Sequence, residues 1–372
     1  MYSKIQITFE EHIKNKKLTG GVCGIYQKDK ELYKGAWGYR DCLQQKTIKD
    51  NAIFRLASMT KPITAVAILI AEERGWLKLE DPISKYILGF HHNGVGLLSN
   101  GQLQFLECAR EITIHDCLTH SSGLGSGEIG NYQFLRFDTP KELKENVESW
   151  NGSFLDFAPK TKQCYSGVVA FEILAYIVQI VSGMPFAEFL QKEIFSPLGM
   201  KDTMYCLSKT NEHRLIEMST TATDGGLLYV DYGKRGFAAF AKGYTGGSAG
   251  LFSTLEDYSK FVRMLACNGA FEGVRILSAK SVEKMRTAQL PYTLNGINQY
   301  FNWGLGVRVC EKQGEWQPLP AGSFGWSGAY GTHFWIEPDT GRSAILMLNK
   351  ADVNGSGSPF SREFEYLCSI NS

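Results

Sequence analysis

The chain has 372 residues, 44% of them hydrophobic and 21% charged, with 39 Lys+Arg against 38 Asp+Glu for a net charge of +1. That balance excludes a basic nucleic-acid surface and an acid-rich disordered chain, and makes a small, weakly charged ligand the default partner. Single cores stop growing near about 250–300 residues, so two lobes are expected.

Charged residues are spread through the first 17 positions, where a signal peptide needs an unbroken apolar stretch, so the expected compartment is the cytoplasm. A short polar helix is predicted there. Gly20–Gln27 and Glu31–Trp37 are β-rich runs joined by Lys28-Asp29-Lys30 and read as a hairpin. Residues 60–75 are apolar on nearly every face, the pattern of a helix buried in the core, with Gly75 as its C-terminal cap. The longest apolar run, Ala65 to Ala71, falls far short of the roughly 18 residues of a membrane span, so no membrane partner is expected.

From about Leu79 to Pro291 helical signals dominate, at Ile114–Leu118, Pro140–Glu148, Val168–Val181, Phe186–Phe195 and Leu255–Leu265, the last with a cap at Ser253-Thr254. Beyond 300 the texture changes. Trp303–Val309, Thr332–Ile336 and Ser343–Leu348 are short β-rich runs, and Phe360–Cys368 closes as a helix. Strands at both ends around a helical middle predict one sheet made from the two termini. The lobes are expected at 1–82 with 292–372, and at 83–291. Nine scattered cysteines without a Cys-x-x-Cys pair read as free thiols of a reducing compartment.

The seven histidines include no His-Glu-x-x-His pair, and His91-His92 and His115/His120 have poor metal spacing. No glycine-rich phosphate loop is present. Neither a metal nor a cofactor is therefore expected. Two serine patterns remain. Ser-x-x-Lys occurs at Ser58-Met59-Thr60-Lys61 and at Ser281-Val282-Glu283-Lys284. The second lies in a polar helix and reads as a solvated face. Ser58 opens the apolar helix, at the positive end of its dipole, with Lys61 one turn on. Loss of solvation favours the neutral amine, which can serve as a base toward the hydroxyl; a helix cap followed by a solvated lysine fits the same residues. The rival, Gly246-Gly247-Ser248-Ala249-Gly250, matches a nucleophile elbow but lacks a strong strand before it and has only His333 after it.

Phe54-Arg55-Leu56-Ala57-Ser58-Met59-Thr60-Lys61, Leu118-Thr119-His120-Ser121-Ser122-Gly123-Leu124, Tyr165-Ser166, Pro197-Leu198-Gly199-Met200, Gly250-Leu251-Phe252-Ser253-Thr254 and Gly325-Trp326-Ser327-Gly328 occur in the order found in the serine β-lactamase-like hydrolases. The sequence resembles that family over roughly residues 20 to 350. The family comprises class C β-lactamases, D-Ala-D-Ala carboxypeptidases of the penicillin-binding type and family VIII carboxylesterases. The resemblance implies a β-lactamase/transpeptidase-like fold: an α/β lobe with an antiparallel sheet from both termini flanked by helices, and an inserted, mostly helical lobe. It implies Ser58 as acylated nucleophile, Lys61 as base, Tyr165 as proton-transfer partner, and the backbone N–H groups of Ser58 and Ala329 as oxyanion hole.

Two departures direct the substrate expectation. Tyr165-Ser166-Gly167 stands where β-lactamases have Tyr-x-Asn, and Trp326-Ser327-Gly328 where they have Lys-Thr-Gly. Loss of the charge-assisted bond to a substrate carboxylate costs roughly 1.5–3 kcal/mol. A tryptophan there resembles the esterase branch, so a carboxylesterase on small or medium acyl esters is expected, with Trp326, Ser327, Gly328 and Tyr330 bordering the acyl pocket. The alternatives are a β-lactamase or D-amino-acid peptidase or transacylase on amides, and a catalytically silent binding protein. The oligomeric state is left open.

Overall fold

The computed structural model describes residues 2–91, 94–99, 102–108, 110–130, 142–237, 240–291, 294, 300–314 and 317–370. Strands β1 (Gly20–Gln27) and β2 (Lys30–Gly38) form the expected hairpin, with Lys28 at φ +54° in its turn. The C-terminal part adds β3 (Phe301–Trp303), β4 (Arg308–Cys310), β5 (Phe324–Ser327), β6 (His333–Glu337) and β7 (Arg342–Leu348). The run predicted at Trp303–Val309 is thus two strands that pair with each other. All seven make one antiparallel sheet in the order β3-β4-β5-β6-β7-β1-β2. The two termini meet where β7 pairs with β1, from Gly21 opposite Leu348 to Gln27 opposite Arg342.

Helices cover both faces of the sheet. Helix α1 (Ser3–Lys14) buries Ile5, Phe9 and Ile13, spaced four apart, and Phe9 stacks on Trp37 at 4.8 Å. Helix α2 (Thr60–Glu73) is buried at every position from Thr60 to Ala71, which is why its sequence lacks a polar face. It ends at Gly75, φ +71°, whose N–H donates to Glu72 O while Trp76 N–H reaches Ala71 O, a glycine cap satisfying the last carbonyls. Helix α3 (Val169–Ser182) packs against α2. Helix α4 (Leu255–Ala266), capped by Thr254 accepting from Asp257 N–H, packs on β1, β6 and β7. The sequence grouped α4 with the helical insert; its amphipathic pattern marks an apolar face without saying against what, and the sheet is what it covers. Helix α5 (Pro359–Ser369) lies with α1 on the opposite face.

Side-chain alternation along β7 fills both layers. Ile345 and Met347 enter the large core, whereas Ala344, Leu346 and Leu348 enter the smaller core beneath α1 and α5. Both faces being covered, Ala344–Leu348 of β7 reads as an unbroken apolar run. The insert contains short helices at Ile114–Leu118, Leu143–Glu148 and Phe186–Leu190. Residues 140 and 141 of the helix predicted from Pro140, and His92, lie outside the described residues. Two unpredicted hairpins, Val95–Ser99 with Gln102–Leu106 and Met218–Thr221 with Leu227–Val230, interrupt its helical texture. Among the described residues no single helix is long and apolar enough to cross a membrane. All nine thiols are free.

Candidate active site

Strand Phe54–Arg55, paired with Phe252–Ser253, leads into Ala57, which is fully buried and holds φ at +46°. A left-handed alanine costs on the order of 1–3 kcal/mol and persists only where its surroundings enforce it. Here it turns the chain into the 3-10 turn Ala57–Met59, so Ser58 stands at a bend immediately before α2. From the first turn of α2, Lys61 points back: its Nζ donates to Ser58 Oγ at 3.2 Å, Gly167 O at 2.6 Å and Ser248 O at 2.9 Å. The side chain is fully buried, and its three polar contacts offset its lost hydration. The Tyr165 hydroxyl donates to Ser58 Oγ at 2.9 Å. Residues 107 apart in sequence thus converge on one oxygen.

Two buried groups shape this triad from behind. His120 accepts the Ser166 N–H at Nδ1, 3.1 Å, and its ring centroid lies 4.6 Å from that of Tyr165. Burial, and then the nearby Lys61 charge, push the His120 imidazole well below its usual range, so it is neutral. Glu172, on α3, accepts the Ser248 N–H at 2.9 Å and the Ser248 hydroxyl at 2.6 Å through Oε1, and the Tyr244 hydroxyl at 2.9 Å through Oε2. Burial pushes its carboxyl up from the usual range, against those hydrogen bonds. The glycine-rich segment that resembles an elbow is the cradle of this acid. Ser248 is fully buried and turns its carbonyl to Lys61, and a Cβ on Gly246 would sit 2.6 Å from the Glu172 oxygens. At the other Ser-x-x-Lys, Ser281 Oγ donates to Glu73 and Lys284 pairs with Glu72, a helix-to-helix surface contact.

A cavity of about 410 Å³ opens beside Ser58. Tyr165, Trp303 and Trp326 form its aromatic wall, with the Trp303 and Trp326 rings 4.6 Å apart. Ser327 and Ala329 line the cavity with Ser58. The N–H groups of Ser58 and Ala329 donate to no protein acceptor among the described residues. Gly328 supports the turn: a Cβ there would lie 2.2 Å from both Leu56 O and Thr332 Oγ1. Tyr330, expected in the acyl pocket, lies elsewhere. The chain reverses at Gly331, φ +90°, and the Tyr330 ring packs with Tyr232 and Phe237 against Ala57. It buttresses the bend that carries Ser58. Two cations not expected from the sequence also line the cavity, Arg308 from β4 and Arg362 from α5. Arg308 donates to Ser356 Oγ at 2.6 Å and lies 3.6 Å from Glu365, whereas Arg362 makes no ion pair within 4.0 Å among the described residues. No motif marks either arginine, since only the packing of α5 beside β4 brings them to the cleft.

The sequence matches the Beta-lactamase family over residues 5–359. It is 31% identical over 352 residues to Protein Rv1367c of Mycobacterium tuberculosis, covering 89% of this chain and 85% of that one. It is 25% identical over 376 residues to Esterase EstB of Burkholderia gladioli, covering 95% and 92%. Among solved structures, EstCE1, described as a hydrolase with promiscuous acyltransferase activity, superposes with a TM-score of 0.81 at 21% identity, covering 100% of this chain and 98% of its own.

Proposed function

Because the chain belongs to the Beta-lactamase family of serine hydrolases, we propose that it is a carboxylesterase acting on small or medium acyl esters through an acyl-enzyme on Ser58. The observation that carries this reading is the convergence of Lys61 Nζ and the Tyr165 hydroxyl on Ser58 Oγ at the mouth of an aromatic-walled cavity. In its neutral form Lys61 keeps N–H bonds to Gly167 O and Ser248 O and turns its lone pair to the Ser58 hydroxyl. Ser58 Oγ attacks the ester carbonyl as its proton passes to Lys61, and the carbonyl oxygen collects charge between the Ser58 and Ala329 N–H groups. Tyr165 gives its proton to the departing alkoxide and regains one from the water that cleaves the acyl-enzyme, while Lys61 returns its proton to Ser58 Oγ. An alcohol in place of that water gives acyl transfer, the side activity described for EstCE1.

Trp326 supports an ester over an anionic β-lactam, since an indole supplies no cation at that edge of the cavity. A second reading is favoured by Arg362, whose guanidinium lines the cavity without an ion partner among the described residues and suits an amide substrate bearing a carboxylate. Turnover of p-nitrophenyl butyrate and nitrocefin separates the two. The ester reading expects a kcat/KM for the butyrate at least about tenfold higher; comparable rates sink it. A fluorophosphonate should label Ser58, and Ser58→Ala should abolish both labelling and turnover.

A further inference from the structure

Ser327 belongs to a buried chain of polar groups that reaches from the cavity to the C-terminal helix. It stands opposite His333 across the β5–β6 pair, with its Oγ 2.8 Å from His333 Nδ1. His333 Nε2 lies 3.0 Å from Glu365 Oε1 on α5, and all three side chains are buried. The Nε2 contact has ion-pair distance but is not an aligned hydrogen bond, so Glu365 acts on the ring chiefly through its charge. Burial alone would raise the Glu365 carboxyl, but His333, then Arg308 and Arg362, hold it below its usual range. It is therefore ionised near neutrality and can only accept.

We propose that the His333–Glu365 pair fixes Ser327 as a hydrogen-bond acceptor at the acyl pocket, so that the enzyme selects acyl groups carrying a hydroxyl or N–H donor. In the neutral ring, a carboxylate beside Nε2 favours the proton on that nitrogen, which leaves Nδ1 with a lone pair. At 2.8 Å that lone pair must take the single Ser327 proton, and the serine then offers the cavity only its own lone pairs. A substrate hydroxyl or amide N–H meets an acceptor there; a substrate carboxylate meets repulsion. With the ring proton on Nδ1 the roles would invert, and Ser327 would donate toward a carboxylate. Arg308 is engaged by Glu365 and Ser356, so attraction of a carboxylate into the cavity falls to Arg362, and the hemisuccinate weighs it against Ser327. Ser327 is a specificity residue, and His333 and Glu365 are positioning residues. The inference rests on the ester reading for its kinetic arm.

The test compares p-nitrophenyl β-hydroxybutyrate, butyrate and hemisuccinate, which share a leaving group and differ in the acyl chain. The wild type is expected to show a KM for the hydroxybutyrate about three- to tenfold below that for the butyrate, the worth of one net hydrogen bond. Ser327→Ala should bring that ratio near one, and Ser327→Thr, which keeps the hydroxyl, should restore it. A ratio untouched by Ser327→Ala, or an advantage that appears with the hemisuccinate instead, overturns the proposal. Failure to turn over any of the three esters would refute the ester reading; ¹⁵N spectra of the histidine rings then decide the inference. A buried ring protonated at Nε2 and bare at Nδ1, whose Nδ1 resonance moves in Ser327→Ala, supports it. The opposite tautomer, or a ring protonated on both nitrogens, overturns it.

Discussion

Tyr165 has one hydroxyl proton, and it is aimed at Ser58 Oγ. Replacing it by phenylalanine keeps the ring between His120 and Trp326 while removing that proton. Tyr165→Phe is therefore expected to lower kcat by about 10²–10⁴-fold with KM little changed, the range for loss of a positioned acid-base group. Glu172 acts one contact further back. Its raised carboxyl binds a proton more tightly folded than unfolded, so between its ordinary value of 4.5 and its folded value stability falls as pH rises. Glu172→Gln has no such proton to lose. The variant should be less stable by about 1–3 kcal/mol at low pH, because its amide nitrogen carries two N–H donors where the protonated acid carries one, beside a Tyr244 hydroxyl that already accepts from Asn146. Its deficit should shrink as pH rises above about 4.5, and unfolding midpoints from about pH 5 to 8 measure this. A deficit that grows with pH would contradict the assignment.

The elements that hold these residues differ in how plainly the sequence announces them. Ser58 and Lys61 were legible because a polar pair opens an otherwise apolar helix, and Tyr165 because an ordered set of motifs resembles a known family. β7 was legible because two buried faces leave an unbroken apolar run. Arg308, Arg362 and Glu172 were not, since each owes its place to a partner more than 40 residues away: Ser356, β4 and Ser248. Tyr330 was misplaced because strand alternation ends at Ser327, and the turn at Gly331 sends the next ring the other way. That turn yields its own prediction. Gly328→Ala would press a methyl to 2.2 Å from Leu56 O and Thr332 Oγ1, so the turn and the Ala329 N–H must shift. A loss of about 1–3 kcal/mol is expected from overpacking. If the Ala329 N–H serves developing charge as proposed, activity should fall mainly in kcat; a purely KM effect would remove Ala329 from the proposed oxyanion hole.

On the scale of the whole molecule, the cleft depends on how the two ends of the chain are tied to one sheet. Helix α5 is fixed by Glu365 beside His333 and Arg308, by Arg342 donating to Cys368 O at 2.8 Å, and by Glu363 meeting His12 of α1 at 2.6 Å. Those ties also set the position of Arg362 and the loop at Ser356 that close the cavity. Glu365 is a buried charge among them, and its carboxyl is held below the ordinary 4.5. A depressed folded value means that the ionised group's stabilisation is fully present above 4.5 and is lost as pH falls through the folded value. Glu365→Gln keeps shape and burial but has no charge at any pH. Wild type should therefore exceed the variant in urea midpoint at about pH 7, and the gap should narrow as pH falls below 4.5 through the folded value. The midpoint slopes should stay alike if only stability changes. A gap that persists unchanged into acid would mean that α5 is held by packing of Phe360, Phe364 and Leu367 alone, and that the charge beside His333 does not act on the fold.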